Sequence, residues 1–199
     1  EGNNIIAQAC YQIAKEFDIE PYDEHTGKGV LRHIIGRIGQ SGWMIILVTA
    51  TEQLPHKEKW VEKLTERIPQ VETIVHNVNG KRTNVILGPK NNILYGDGTI
   101  TDHIKDLQFT LSPHSFFQVN PEQTTVLYDQ ALEYADLKGD ETVIDAYCGT
   151  GTISLFLAHK AKHVIGIEIV EPAIINAREN AQRNGYDNTE FIVADAAVE

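Results

Sequence analysis

Asp145, Gly149, Gly151 and Glu168 are the residues whose types and spacing could do chemistry. They lie in two segments, Thr142-Val-Ile-Asp-Ala-Tyr-Cys-Gly-Thr-Gly-Thr152 and His163-Val-Ile-Gly-Ile-Glu168. Val143 and Ile144 read as a buried parallel strand, the glycines as a tight turn, and the apolar run at 153–158 as the opening of a helix. Backbone amides at such a helix start can face a ligand. Glu168 ends the next strand, 17 residues after Gly151, where a carboxylate can accept both hydroxyls of a ribose. Together these residues form one edge of a nucleotide pocket.

A dinucleotide fingerprint would place glycine or alanine three residues after Gly151, and Ser154 stands there instead, which disfavours NAD. Asp145 at the strand end, with an acid on the second strand, suits a cationic sulfonium better than a pyrophosphate. S-adenosylmethionine is therefore the expected cofactor, against the plainer alternative of a strand, turn and helix with solvated acids. The eight histidines show no ligand spacing, so no metal is expected.

The net charge of −11, from 28 acidic and 17 basic residues, opposes a general nucleic-acid surface, because phosphate contacts need Lys and Arg. Any RNA contact must be local. The richest basic stretch in the N-terminal half is 27–37, with Arg32, His33 and Arg37, although a solvated strand face explains it as well. The longest apolar run, 43–48, falls far short of the roughly 20 residues of a spanning helix, so no membrane association is expected. Cys10 and Cys148 have no pairing spacing, which points to a reducing, cytoplasmic setting. The first residue is Glu1 and the only methionine is Met44, so the chain reads as a piece of something longer.

The elements that must position these residues change character near residue 105. Residues 1–105 read as an α+β domain. It has an apolar helical stripe at 5, 6, 9, 10, 13, 14 and 17, two strands at 30–38 and 43–51 joined by a short turn, a helix at 56–68, a strand at 71–78 and short extended segments over 93–104. Helices on a mostly antiparallel sheet are expected. Residues 106–199 read as α/β. A strand at 107–111 leads to a helix from Pro121 to about Ala135 with Asn120 as its N-cap, then strands near 142–146, 163–167 and 189–194 alternate with helices at 151–160 and 171–184. That alternation implies a right-handed parallel sheet, here the first part of a Rossmann-like one. Cut after its third strand, the sheet should expose an apolar edge and self-associate.

Four motifs in order, Ser115-Phe-Phe-Gln-Val-Asn120, Asp145-Ala-Tyr-Cys-Gly-Thr-Gly151, Gly166-Ile-Glu168 and Ala173-Ile-Ile-Asn-Ala-Arg-Glu-Asn-Ala181, resemble the uracil-5 RNA methyltransferases, and Gly27-Lys-Gly-Val-Leu-Arg-His33 with Arg37 resembles their central domain. The resemblance implies methylation of uridine C5 in 23S ribosomal RNA, with transfer RNA as the alternative within the same fold. A noncatalytic RNA-binding or interaction module is the alternative from another class. It also implies cofactor contacts from Gln118 at the methionine end, Tyr147 and Thr152 beside the glycine turn, Glu168 on the ribose and Asp195 on the adenine amino group, a helix cap being the plainer role for Asp195. The family's nucleophilic cysteine and its base lie downstream, so the resemblance implies no catalytic residue in this chain and no activity of it alone. Cys148 is not expected to be the nucleophile, because a thiolate beside Asp145 and Glu168 would be disfavoured.

Overall fold

The run Trp-Met-Ile-Ile-Leu-Val-Thr offers no polar face to water, and it becomes β2 (Trp43–Thr49), an inner strand of a four-stranded sheet. This computed structural model describes residues 1–118 and 120–197, so Val119 of the 115–120 motif lies outside it. The chain divides into two compact units, Glu1–Ile100 and Thr101–Glu199. The division falls at the start of a strand, so a hairpin around residue 105 goes with the second unit.

In the first unit β1 (Leu31–Ile38) pairs antiparallel with β2, β2 runs parallel to β3 (Val71–Val78), and β4 (Lys90–Tyr95) pairs antiparallel with β3. The sheet is thus mixed, because α2 (Lys57–Arg67) carries the chain back between β2 and β3. α1 (Gly2–Glu16) lies on the same sheet. Its Ile6, Cys10 and Ile13 share a core with Ile45, Leu47, Trp60, Leu64 and Ile74, all at most 1% exposed. Ile5, expected in that stripe, is 42% exposed at its margin.

In the second unit β5 (Ile100–Ile104) and β6 (Leu107–Leu111) form a pair. α3 (Pro121–Ala135) follows, and Asn120 caps it by accepting from the Gln123 amide at 3.1 Å. Three parallel strands, β7 (Thr142–Ala146), β8 (His163–Glu168) and β9 (Thr189–Val193), then lie side by side in chain order. α4 (Thr152–Ala158) and α5 (Glu171–Arg183) are their crossovers. Each crossover carries the chain to the adjacent strand in the same direction, as in one half of a Rossmann-like sheet. No helix among the described residues is long and apolar enough to cross a membrane.

Arg32 corrects an expectation. Its side chain is 2% exposed, so it is neither a solvated face nor a phosphate contact. Nε and Nη2 donate to the Glu24 carboxylate at 2.8 and 3.0 Å, Nη1 to the carbonyls of Asn79 and Lys81 at 3.1 and 2.7 Å, and Nη2 also to the Thr83 carbonyl at 3.0 Å. A guanidinium has five N–H donors, and all five are spent. The charge that looked available for RNA fixes the 79–83 segment against β1. Arg32→Ala should lower stability by about 1–2 kcal/mol, chiefly from the part-buried Asn79 carbonyl left unpaired, since water can reach the carbonyls of Lys81 and Thr83. Arg32→Lys should recover less than half of that, because an ammonium cannot span the same fork. Urea unfolding of both variants at neutral pH checks this, and an Arg32→Ala midpoint equal to that of the parent chain would refute it.

Candidate cofactor-binding site

β7 ends at Ala146, and the chain then turns while still tied to its neighbour, since the amides of Tyr147 and Cys148 both donate to the Ile167 carbonyl at 2.8 and 3.0 Å. Tyr147 takes a positive φ of 70°, which turns its ring outward, 70% exposed. The two glycines that follow are needed for different reasons. At Gly151 (φ 79°) a Cβ would come within 3.0 Å of Phe191 and 3.1 Å of Ala177, so the turn packs there against α5 and β9. At Gly149 (φ 56°) a Cβ would meet nothing within 4 Å, which leaves open space beside that amide.

Glu168 closes the mouth of the turn. Its Oε2 accepts from the Gly149 amide at 3.3 Å and its Oε1 from the Val170 amide at 3.0 Å. One bond per oxygen fixes the carboxylate and leaves each a lone pair for a further donor. Asp145 lies behind, its Oδ2 accepting from the Ser154 hydroxyl at 2.5 Å. Burial pushes the Asp145 carboxyl up, the Ser154 hydrogen bond pulls it partly back, and the charge of Glu168 adds to the rise. The Cys148 thiol is pushed up to about 12, by burial first and then by Asp145 and Glu168. Cys10 is likewise pushed to about 12 by burial. Both cysteines are free thiols held protonated.

Of the residues expected here, Tyr147, Thr152 and Glu168 converge on the turn. Thr152 opens α4, and its Oγ1 lies 3.0 Å from the Tyr128 hydroxyl, so Tyr128 can donate while Thr152 keeps its own proton for a ligand. Gln118 is half-buried ahead of α3. Asp195, exposed after β9, uses Oδ1 to accept the Ala197 amide at 3.0 Å, a local Asx turn. Among the described residues no hydrogen bond joins Gln118 or Asp195 to the turn, and no group of three or more His, Cys, Asp or Glu could hold a metal ion.

Three asparagines of α5 and its end, whose partners the sequence does not show, organise the surroundings. Asn180, fully buried, accepts from the Thr110 amide at 2.8 Å and donates to the Thr150 carbonyl at 3.2 Å. Asn176 Oδ1 accepts from the hydroxyls of Ser112 and Ser115 at 3.2 and 3.1 Å. Asn184 pairs with both the amide and the carbonyl of Gln108, at 2.8 and 2.7 Å. The available signal was an asparagine every fourth residue, with one of them flanked by Ala177 and Ala181 on the buried face.

A family model described as a methyltransferase domain matches residues 137–198. Proteins named as uncharacterized RNA methyltransferases from Halalkalibacterium halodurans and Clostridium tetani are 52% and 53% identical to this chain over 198 residues, covering 98% of it and 43% of each relative. The chain therefore spans less than half the length of these curated relatives. The crystal structure of Pyrococcus abyssi tRNA (uracil-54, C5)-methyltransferase in complex with S-adenosyl-L-homocysteine superposes with a TM-score of 0.82 at 26% identity, covering 98% of this chain and 47% of that one. The second unit has a Rossmann-like methyltransferase fold. The cofactor of such a domain is S-adenosylmethionine. At the turn, the Glu168 carboxylate, held by the Gly149 amide, has open space beside Gly149.

The methyltransferase domain keeps its buried acid at a cost. Because the folded Asp145 carboxyl titrates above an unfolded aspartate near pH 3.9, its contribution to stability is full below that pH and is lost as pH rises through the folded value. Asp145→Asn removes that loss. The variant should gain on the parent chain as pH rises from about 4 to about 7. Urea midpoints of both across that range test it, and a difference that stays constant with pH would contradict it.

Proposed function

We propose that residues 1–105 are the central domain of an RNA (uracil-5-)-methyltransferase and residues 106–199 the first part of its cofactor-binding domain. The observation that carries this reading is the Glu168 carboxylate held across the mouth of the glycine turn by the Gly149 and Val170 amides. In this reading Glu168 accepts the ribose hydroxyls, Tyr147 packs on the cofactor, Thr152 donates to its carboxylate, and Gln118 and Asp195 reach its methionine and adenine ends. The RNA reading is supported by the curated relatives, whose printed names are RNA methyltransferases.

The reaction class needs a thiolate that adds to uracil C6. The C6–S bond makes C5 nucleophilic, C5 takes the methyl group from the sulfonium, a base removes the C5 proton, and the thiolate leaves with its electron pair. Neither cysteine of this chain is suited to that, since both are buried and held protonated at neutral pH. In this reading the nucleophile and the base are supplied by residues outside this chain, and the chain alone transfers no methyl group. The substrate in this reading is a uridine of 23S ribosomal RNA. Transfer RNA is the second reading, favoured by the likeness to the Pyrococcus abyssi tRNA enzyme. Methyl transfer by the full-length protein to ribosomal and transfer RNA transcripts separates the two.

Calorimetric titration tests the cofactor site in the chain as it stands. S-adenosylmethionine should bind, and Glu168→Ala should weaken binding by at least about tenfold, since charged hydrogen bonds to the ribose are lost. No heat at millimolar ligand would overturn the reading and favour a noncatalytic RNA-binding module. The edge strand β7, with Ile144 63% exposed, supports self-association of the chain. Its size-exclusion peak should move to larger size with concentration, whereas a sharp monomer peak throughout would refute that.

A further inference from the structure

The asparagines at 176, 180 and 184 form a ladder along β6 and the segment that follows it. Four residues of helix rise about 6 Å and two residues of strand about 6.6 Å, so side chains at every fourth helical position meet alternate residues of a strand. The pairing follows that match: Asn184 with Gln108, Asn180 with Thr110, and Asn176 with Ser112 and Ser115. β6 pairs with β5 in a two-stranded sheet, and the helix amides serve as its partner on the other edge.

The three rungs differ in what else they hold. The Asn184 side chain holds Gln108 and, through Nδ2, the main-chain carbonyl of Asn180 at 2.8 Å, and bonds no residue of the glycine turn. The Asn180 rung continues to the carbonyl of Thr150, between the two turn glycines. The Asn176 rung fixes Ser115, whose hydroxyl also accepts the Ser112 amide at 2.9 Å, and Ser115 begins the segment that carries Gln118. One helix therefore holds both the glycine turn and the start of the segment that carries Gln118.

Resting on the cofactor reading above, we propose that Asn176 and Asn180 are positioning residues for S-adenosylmethionine. They set the separation between the Gly149–Gly151 amides and the Gln118 segment through a single rigid element. Asn184, with the same chemistry at the far end, serves the fold alone.

Titration calorimetry of S-adenosylmethionine into the chain, together with urea unfolding, separates positioning from plain stability. Asn176→Ala should weaken binding about tenfold. Asn176→Asp keeps an acceptor for both serine hydroxyls and should stay within about threefold of the parent chain. Asn184→Ala should lower the urea midpoint at least as much as Asn176→Ala while leaving affinity unchanged. Asn180→Ala serves as a further arm where it folds, and its affinity should fall as for Asn176→Ala. Unchanged binding by Asn176→Ala, or equal weakening by Asn184→Ala, overturns the positioning role while leaving the cofactor reading intact. An absence of binding by the unsubstituted chain overturns both.

Discussion

The buried amide of Asn180 is the interaction on which the second unit depends. It satisfies one backbone donor on β6 and one backbone acceptor in the glycine turn, two groups 40 residues apart that no secondary-structure ladder reaches. Such groups cost free energy when left unpaired away from water. A β-strand edge and a left-handed turn are both poor in internal hydrogen bonds, and a side-chain amide supplies what each lacks. Asn77 does the same in the first unit, exchanging bonds of 2.8 and 2.7 Å with the carbonyl and amide of Gly88. Asparagine in this chain works as a movable piece of peptide backbone.

The turn held in this way sets the chemistry. Its amides leave the strand in directions that only positive φ values at Tyr147, Gly149 and Gly151 permit. Glu168 then reaches it from the next strand because β7 and β8 pair with Asp145 opposite Gly166. The result places two carboxylates near one turn, one buried and raised and the other fixed by amides at its mouth. This arrangement disfavours a nearby thiolate and suits a ligand that brings hydroxyls and positive charge. Ser154 occupies the place of a third fingerprint glycine and spends its hydroxyl on Asp145. The residue that argued against NAD is thus also the one that keeps the buried acid hydrogen-bonded.

Periodicity made most elements legible, since apolar spacing of 3.6 or 2 reports which face is buried. The Asn120 cap was legible because its signal is local: an asparagine before Pro121 whose side chain meets the amide three residues on. What stayed hidden was long-range. Arg32 looked like an exposed cation because its carbonyl partners lie 47 to 51 residues away. The Asn180 contacts span 70 and 30 residues, and a polar residue between two alanines reads from sequence as a break in the buried stripe. The first unit's sheet is mostly antiparallel as expected, and its one parallel pair, β2 with β3, follows from the helix between them and not from the strands' own residues.

We propose that the glycine turn and Glu168 form a cofactor seat within this chain. Amide chemical shifts followed by NMR as S-adenosylmethionine is added test it at residue level. Shifts should centre on Gly149, Gly151, Thr152 and Val170, with the amides around Arg32 unmoved. Shifts confined to the first unit, or none at the turn under saturating cofactor, would contradict it.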